Sequence, residues 1–250
     1  MGTIDFVRAD RRHFSDFGWL QTYWLFSFSN YFDPNNIQFG ALRVFNDDVV
    51  APGTGFPTHP HDEMEIVTVV LDGEMTHQDS MGNKTVIKAG DVQRMSAGTG
   101  LTHSELNLSD RDVHFYQIWI FPDQRELKPS YAQLTFAPAD WHNKLLPIAS
   151  GQDIANTVTF HTAGTIYRCA LDAGREVIHQ STRGRRIFTY LTKGAMNVNG
   201  LSMACKDQAR IDVDEPLTFK AEEASEFILI DVPSCKGWGY SQETLRGGRK

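Results

Sequence analysis

Nothing in the 250 residues approaches the unbroken apolar stretch of about 20 that a membrane-spanning helix needs. The opening segment, MGTIDFVRADRRHF, lacks the apolar centre of a secretion signal, and Phe6 stands where a myristoylated Gly2 would require Ser or Thr. Cysteine is scarce. Its three copies, Cys169, Cys205 and Cys235, are odd in number and share no metal-type spacing, so they read as reduced thiols of a cytoplasmic protein. Basic residues are outnumbered, 24 Lys and Arg against 31 Asp and Glu, and the net charge of −7 has the wrong sign for a phosphate-binding surface. The short basic clusters (Arg183, Arg185 and Arg186; Arg246, Arg249 and Lys250) read as a solvated loop and tail. No direct nucleic-acid partner and no membrane partner is expected.

What is present is a chain able to fill a core, 41% hydrophobic and 22% charged. Strand signals dominate it. Glu65–Leu71 is β-branched and ends at the hairpin signal Asp72-Gly73; short strands are expected over Glu74–Asp79, Thr85–Lys88, Val92–Met95 and Val113–Phe121. Residues 122–152 carry four prolines and no clean period, and read as a connecting segment. The β pattern then resumes at Thr157–His161, Thr165–Leu171, Arg186–Leu191, Met196–Val198 and Glu226–Val232, with Asn199-Gly200 as a two-residue turn. Short strands joined by glycine turns indicate an all-β sandwich or barrel rather than βαβ units. Two similar β units, residues 1–135 and 136–250, are the economical division, and a single large sandwich is the alternative.

The chemistry concentrates in two segments. In Gly53-Thr-Gly-Phe-Pro-Thr-His59-Pro-His61, a strand's period of two places both imidazoles on one face, a pincer for a borderline metal. In Gly90-Asp-Val-Gln-Arg-Met-Ser-Ala-Gly-Thr-Gly-Leu-Thr-His103-Ser-Glu105 the spacing recurs, and the intervening hairpins would return the second pair beside the first. Three imidazoles and a carboxylate then converge, leaving about two positions of a six-coordinate ion open. Glu65 competes with Glu105 for the carboxylate role, a choice the spacing leaves open; the one that does not coordinate stands behind the ligands or on the strand surface.

These two segments resemble the paired motifs of the cupin superfamily. The carboxylate two residues after the last histidine, the run Ala89-Gly-Asp-Val-Gln-Arg-Met-Ser-Ala-Gly-Thr-Gly100 and the hairpin His77-Gln-Asp-Ser-Met-Gly-Asn83 resemble the pirin family in particular. The resemblance is specific from about Gly40 to Pro122. It implies two tandem jelly-roll-like cupin β-barrels, residues 1–135 binding the metal and residues 136–250 without ligands. It implies that His59, His61, His103 and Glu105 hold one divalent transition metal ion per chain, with Fe(II) the expected ion and Cu, Ni, Mn, Co or Zn as alternatives. It also implies quercetin 2,3-dioxygenase chemistry, the opening of a flavonol's heterocyclic ring by O2 with release of carbon monoxide, in which Glu105 takes the substrate's hydroxyl proton.

Two other readings share the residues: a regulatory protein acting through a protein partner, and another small-molecule cupin enzyme such as an isomerase. In the second unit His161 and His179 are isolated. His13, His77, His114 and His142 read as structural or exposed. On strand 113–121, His114, Tyr116, Ile118 and Ile120 share one face and Phe115, Gln117, Trp119 and Phe121 the other. Core filling is the expectation for the inward set, with Gln117, Trp119 and Phe56 as candidates to face a substrate.

Overall fold

The computed structural model describes residues 3–212 and 215–234 of the chain; Cys235, Arg246, Arg249 and Lys250 lie outside them. The described residues are built from four antiparallel-dominated sheets. Their only helices are single 3-10 turns at Ala9–Arg11 and Pro138–Asp140, and none is long and apolar enough to cross a membrane.

In the first unit a seven-stranded sheet runs in the order Ser130–Thr135, Asp91–Ser96, Glu65–Asp72, Val113–Ile120, Leu42–Val50, Leu20–Trp24, His13–Asp16. A four-stranded sheet faces it, in the order Thr54–His61, Leu101–Asn107, Glu74–Asp79, Lys84–Lys88. The second unit repeats the plan. Its larger sheet is centred on Arg185–Lys193, Ser225–Pro233 and Thr165–Leu171, and its smaller sheet contains Glu176–His179, Leu217–Ala221, Met196–Val198 and Leu201–Met203. The architecture is thus two jelly-roll-like cupin domains, although the two sheets of each stay separate in their hydrogen bonding rather than closing into one ring. The N-terminal strand Ile4–Val7 crosses over and pairs with Gln208–Asp212 in the second unit's sheet.

The alternation of strand 113–120 decides which side chain goes where. Tyr116, Ile118 and Ile120 point between the units, where they join Phe45 and Val67 against Phe188, Tyr190, Ile228 and Ile230 in one shared apolar cluster. Phe115 and Trp119 point into the first unit. The interior there is divided, with Leu20, Val70, Met75, Ile87 and Phe115 on one side and Met64, Ile66, Met95 and Leu101 on the other. Between the two apolar clusters runs a row of polar side chains in direct cross-strand register, Asn46, Gln117, Thr68 and Gln93, all buried. Buried amides and hydroxyls are costly unless partnered, so this row marks where the first unit departs from a purely structural core.

The structure corrects the reading of residues 122–152 as a connector. It contains the strands Ser130–Thr135 and Leu146–Ser150. The first is a sheet edge, half-exposed throughout, and so shows no apolar alternation; Pro147 interrupts the second. Only Val158–Thr159 of the expected 157–161 strand forms.

Candidate metal centre and its cavity

Thr54–His61 and Leu101–Asn107 pair antiparallel with His59 opposite His103 and His61 opposite Leu101. The register slips between His103 and Glu105, which pairs with Phe56; such a bulge re-aims side chains at the end of a ladder. Gly55 permits the approach, since a Cβ at this residue, whose φ is +149°, would run into the Glu105 carbonyl. His59, His61 and His103 thereby converge, with donor atoms all within 4.8 Å of one another. Their ring centroids are 4.4 to 4.9 Å apart.

The donor chemistry suits a cation. His59 Nδ1 lies 2.7 Å from the Pro57 carbonyl, to which it donates, so its Nε2 presents a lone pair. That lone pair meets His103 Nε2 at 3.0 Å, a spacing that two nitrogens on one ion adopt as readily as an N–H···N bond. Burial, with the charge of His59, lowers His61 to about 4, and burial with the neighbouring histidines lowers His103 to about 2. His61 and His103 are therefore held neutral, the form that binds metal. Glu105 is fully enclosed; its Oε2 accepts from Gln117 Nε2 at 2.8 Å, and its Oε1 has no hydrogen-bond partner. Burial lifts its pKa to about 7 despite the help of Gln117. Its carboxylate groups with His103 and His77 rather than directly with His59 and His61, and an unpartnered buried carboxylate oxygen next to such a histidine cluster is what a divalent ion would satisfy.

Glu65 lies elsewhere. It is buried rather than on the strand surface, and its carboxylate accepts from Ser96 Oγ at 2.7 Å and pairs with His161 Nδ1 at 3.0 Å. His161 comes from the segment entering the second unit, so Glu65 serves as an inter-unit clasp. The cluster superficially suggests a Ser-His-acid triad. Both contacts fall on the same imidazole nitrogen, however, with Ser96 Oγ 3.2 Å from His161 Nδ1, whereas a triad needs one on each.

One residue was missed from the sequence. His77 is fully buried and pairs across from Glu105. The donor atoms of His77, His103 and Glu105 also lie within 4.8 Å. Its Nε2 binds Asp79 Oδ2 at 3.0 Å, and Asp79 is itself anchored by Asn83, while His77 Nδ1 has no partner. The signal available was His77-x-Asp79, a histidine and a carboxylate on one strand face.

His59, His61 and Glu105 line a cavity of about 410 Å³, with His103 set behind them. Gln117, Trp119 and Phe56 all line it, which places the three candidates at the cavity rather than in sealed core. Trp119 stands edge-on to His61, with centroids 4.9 Å apart. The rest of the aromatic wall, Phe17, Trp19, Trp24 and Phe28, comes from the N-terminal hairpin and the loop after it.

The second unit keeps the frame and changes the side chains. Thr68 and Thr189 each stand five residues before a turn glycine, Gly73 and Gly194. Leu101-Thr102 and Leu217-Thr218 open equivalent strands, and His179 faces Leu217 as His61 faces Leu101. In that register Val177, Phe219 and Ala221 occupy the places of His59, His103 and Glu105. The remaining histidine, His179, is engaged by Asp231 at 2.9 Å, which also pairs with Arg185.

Comparison with known proteins agrees with this geometry. Residues 7–120 match the profile described as pirin, and residues 147–232 that of the quercetinase C-terminal cupin domain. A pirin-like protein of Caulobacter vibrioides is 41% identical over 230 residues, 92% of this chain and 99% of its own. The chain belongs to the pirin family. The quercetin 2,3-dioxygenase of Escherichia coli (strain K12), a relative of this pirin, is 41% identical over 227 residues, 90% of this chain and 97% of that protein. The crystal structure of the bacterial pirin YhhW from Escherichia coli in complex with nickel(II) superposes with a TM-score of 0.88 at 39% identity, covering 93% of this chain and 100% of that one.

Proposed function

We propose that this pirin is a metal-dependent dioxygenase of the quercetin 2,3-dioxygenase type, holding one divalent ion through His59, His61, His103 and Glu105, with iron(II) the expected ion. The observation that carries the reading is the convergence of three imidazoles, His59, His61 and His103, with the Glu105 carboxylate grouped beside His103, at an aromatic cavity that His59, His61 and Glu105 line. The naming of the Escherichia coli relative and the nickel(II) of the related structure support it. A divalent transition ion at this place supplies a Lewis-acid centre and, when redox-active, a path for electrons between an ionised substrate and dioxygen.

The chain's own residues do the rest. Trp19, Phe56 and Trp119 offer faces and edges to a flat ring and keep water from it. Glu105 Oε1, which has no partner of its own, is the carboxylate oxygen placed to accept a flavonol hydroxyl proton. Gln117, bonded to Glu105 Oε2 and itself 3.3 Å from Trp119 Nε1, fixes the carboxylate's orientation. In this reading the units divide near residue 135, with Ile4–Val7 lent to the second, and the second unit takes no metal because Val177, Phe219 and Ala221 offer no donors.

The test is elemental analysis of protein purified without added metal, followed by oxygen uptake and carbon monoxide release with quercetin. About one ion per chain and stoichiometric release of the gas are expected. A loaded protein that consumes no oxygen with any flavonol refutes the reading.

A further inference from the structure

The wall of the cavity that faces the histidines carries a feature that neither metal binding nor packing uses. Strand Leu42–Val50 turns Asn46 and Asp48 to the same side, and both line the cavity. Each is only 2% exposed, and each has an oxygen, Asn46 Oδ1 and Asp48 Oδ1, with no hydrogen-bond partner. We infer that Asp48, with Asn46 beside it, forms a hydroxyl-recognising subsite, which selects flat aromatic substrates carrying a second polar group away from the one held at the histidines. This deepens the flavonol reading and rests on it for the identity of the ring.

Three observations support the assignment. First, the charged groups acting on Asp48 are Asp47 and Glu105, both acidic, and burial lifts its pKa to about 8 beyond what the Thr22 hydroxyl offsets. A carboxyl in such surroundings gains from a hydrogen-bonding partner on the ligand, and its two oxygens match a phenol. Second, the fold does not require a polar residue at this position. Asp48 pairs with Phe115 as Cys169 pairs with Phe227 in the second unit, and there the equivalent side chain is buried in an apolar cluster. Third, the surrounding wall is aromatic, with Trp24 and Phe28 on the same side as Asp48. A ring stacked there puts its rim, where hydroxyls sit, along the stretch of wall that Asn46 and Asp48 line. Sites built to bond a substrate hydroxyl reject the analogue that lacks it, because the site's own groups are then left unpaired.

The experiment measures equilibrium binding, by quenching of tryptophan fluorescence, to the nickel(II)-loaded full chain without oxygen. The probes are quercetin and 3-hydroxyflavone, which keeps the flavonol core but lacks the other ring hydroxyls. Wild type should bind quercetin more tightly. Asp48→Leu should weaken quercetin by about tenfold or more while leaving 3-hydroxyflavone within about twofold, and Asp48→Asn, which can still donate, should keep quercetin within about threefold. Nickel content should not change, and the metal-free Asp48→Leu protein should melt higher than wild type, as expected where function holds an unsatisfied polar group in place. Equal losses for both flavonols, no loss for either, or a lower melting temperature for both variants would overturn the assignment. If wild type binds neither flavonol, the flavonol reading fails and 2-naphthol against naphthalene decides the subsite. A wild-type preference for 2-naphthol that Asp48→Leu abolishes supports it, and equal binding by wild type overturns it.

Discussion

Two buried glutamates of the first unit should respond to substitution in opposite ways. Glu65 is 1% exposed and holds Ser96 and His161 at 2.7 and 3.0 Å. Glu65→Ala removes the hydrogen bonds to Ser96 and His161, leaves a hole in a buried site, and takes away the carboxyl that faces the buried Arg94, a loss of roughly 3–5 kcal/mol. For a chain of this length each kcal/mol moves the melting temperature by about 2–4 °C, so a fall of roughly 6–20 °C is expected. Metal content and turnover per bound ion should stay within a few-fold. Glu105→Gln should do the reverse. Its carboxyl already has a pKa near 7 because of burial, so a neutral amide of the same shape should not destabilise the metal-free protein. Metal affinity should fall, and turnover per bound ion should fall by about 10²–10⁴, the usual share of a general base. Scanning calorimetry, elemental analysis and oxygen uptake on the same preparations separate the two. If Glu65→Ala empties the site while melting normally, Glu65 is the ligand and the assignment of Glu105 is wrong.

His59→Ala and His61→Ala should each lower metal occupancy while leaving the circular dichroism spectrum intact, because the apolar clusters do not depend on the ion; an unfolded variant would show that the metal is structural. His179→Ala should leave metal content at one ion per chain, since its partner is Asp231, and a fall would reveal a second site. Asp48 binds a proton in the native state up to about pH 8 that the unfolded chain releases near 3.8, so metal-free stability should decline as pH rises through that window; Asp48→Asn should flatten the decline, and an unchanged slope between pH 5 and 8 refutes this. For Asp47, burial alone would raise the pKa, but the bonds from His114 and Tyr190 and the charge of Lys206 hold it at about 2. Its contribution is therefore full above pH 3.8 and lost as pH falls toward 2, and Asp47→Ala should cost roughly 3–5 kcal/mol in urea unfolding at neutral pH.

The pairing of the candidate ligands was legible because its logic is local. A spacing of two on a strand shares a face wherever the strand lies, so His59 with His61 and His103 with Glu105 announce themselves. The strands with both faces buried, such as Glu65–Asp72 and Val113–Ile120, were legible for the same reason. Edge strands were not. Ser130–Thr135 is half-exposed on both faces and shows no period, and Glu176–His179 is short and mostly exposed. The cavity wall was hidden as well. Phe17 and Trp19 meet Phe56 and His61 across long stretches of chain, and Trp19 packs edge-on against Phe56 at 5.1 Å only once the hairpin has folded over the sheet. The surroundings of Glu65 and His77 were not legible, because burial and partners, His161 and Asp79, come from tertiary placement and not from spacing.

The apolar cluster between the two large sheets has a consequence for how the chain can be divided. Tyr116, Ile118 and Phe45 face Phe188, Tyr190 and Ile230 there, and Ile4–Val7 is stitched into the far sheet. Severing the backbone near residue 135 would leave each fragment with an apolar sheet face exposed, a sticky surface in isolation. Each fragment is the cover of the other, so co-expressed pieces should reassemble into one body and separately expressed pieces should aggregate. The same arrangement splits the freedom of the second half. Its outer sheet face is tied to its twin, while its inner face packs Val177, Phe219 and Ala221 into a cluster of its own. Its back is held by a neighbour and its front by its own side chains.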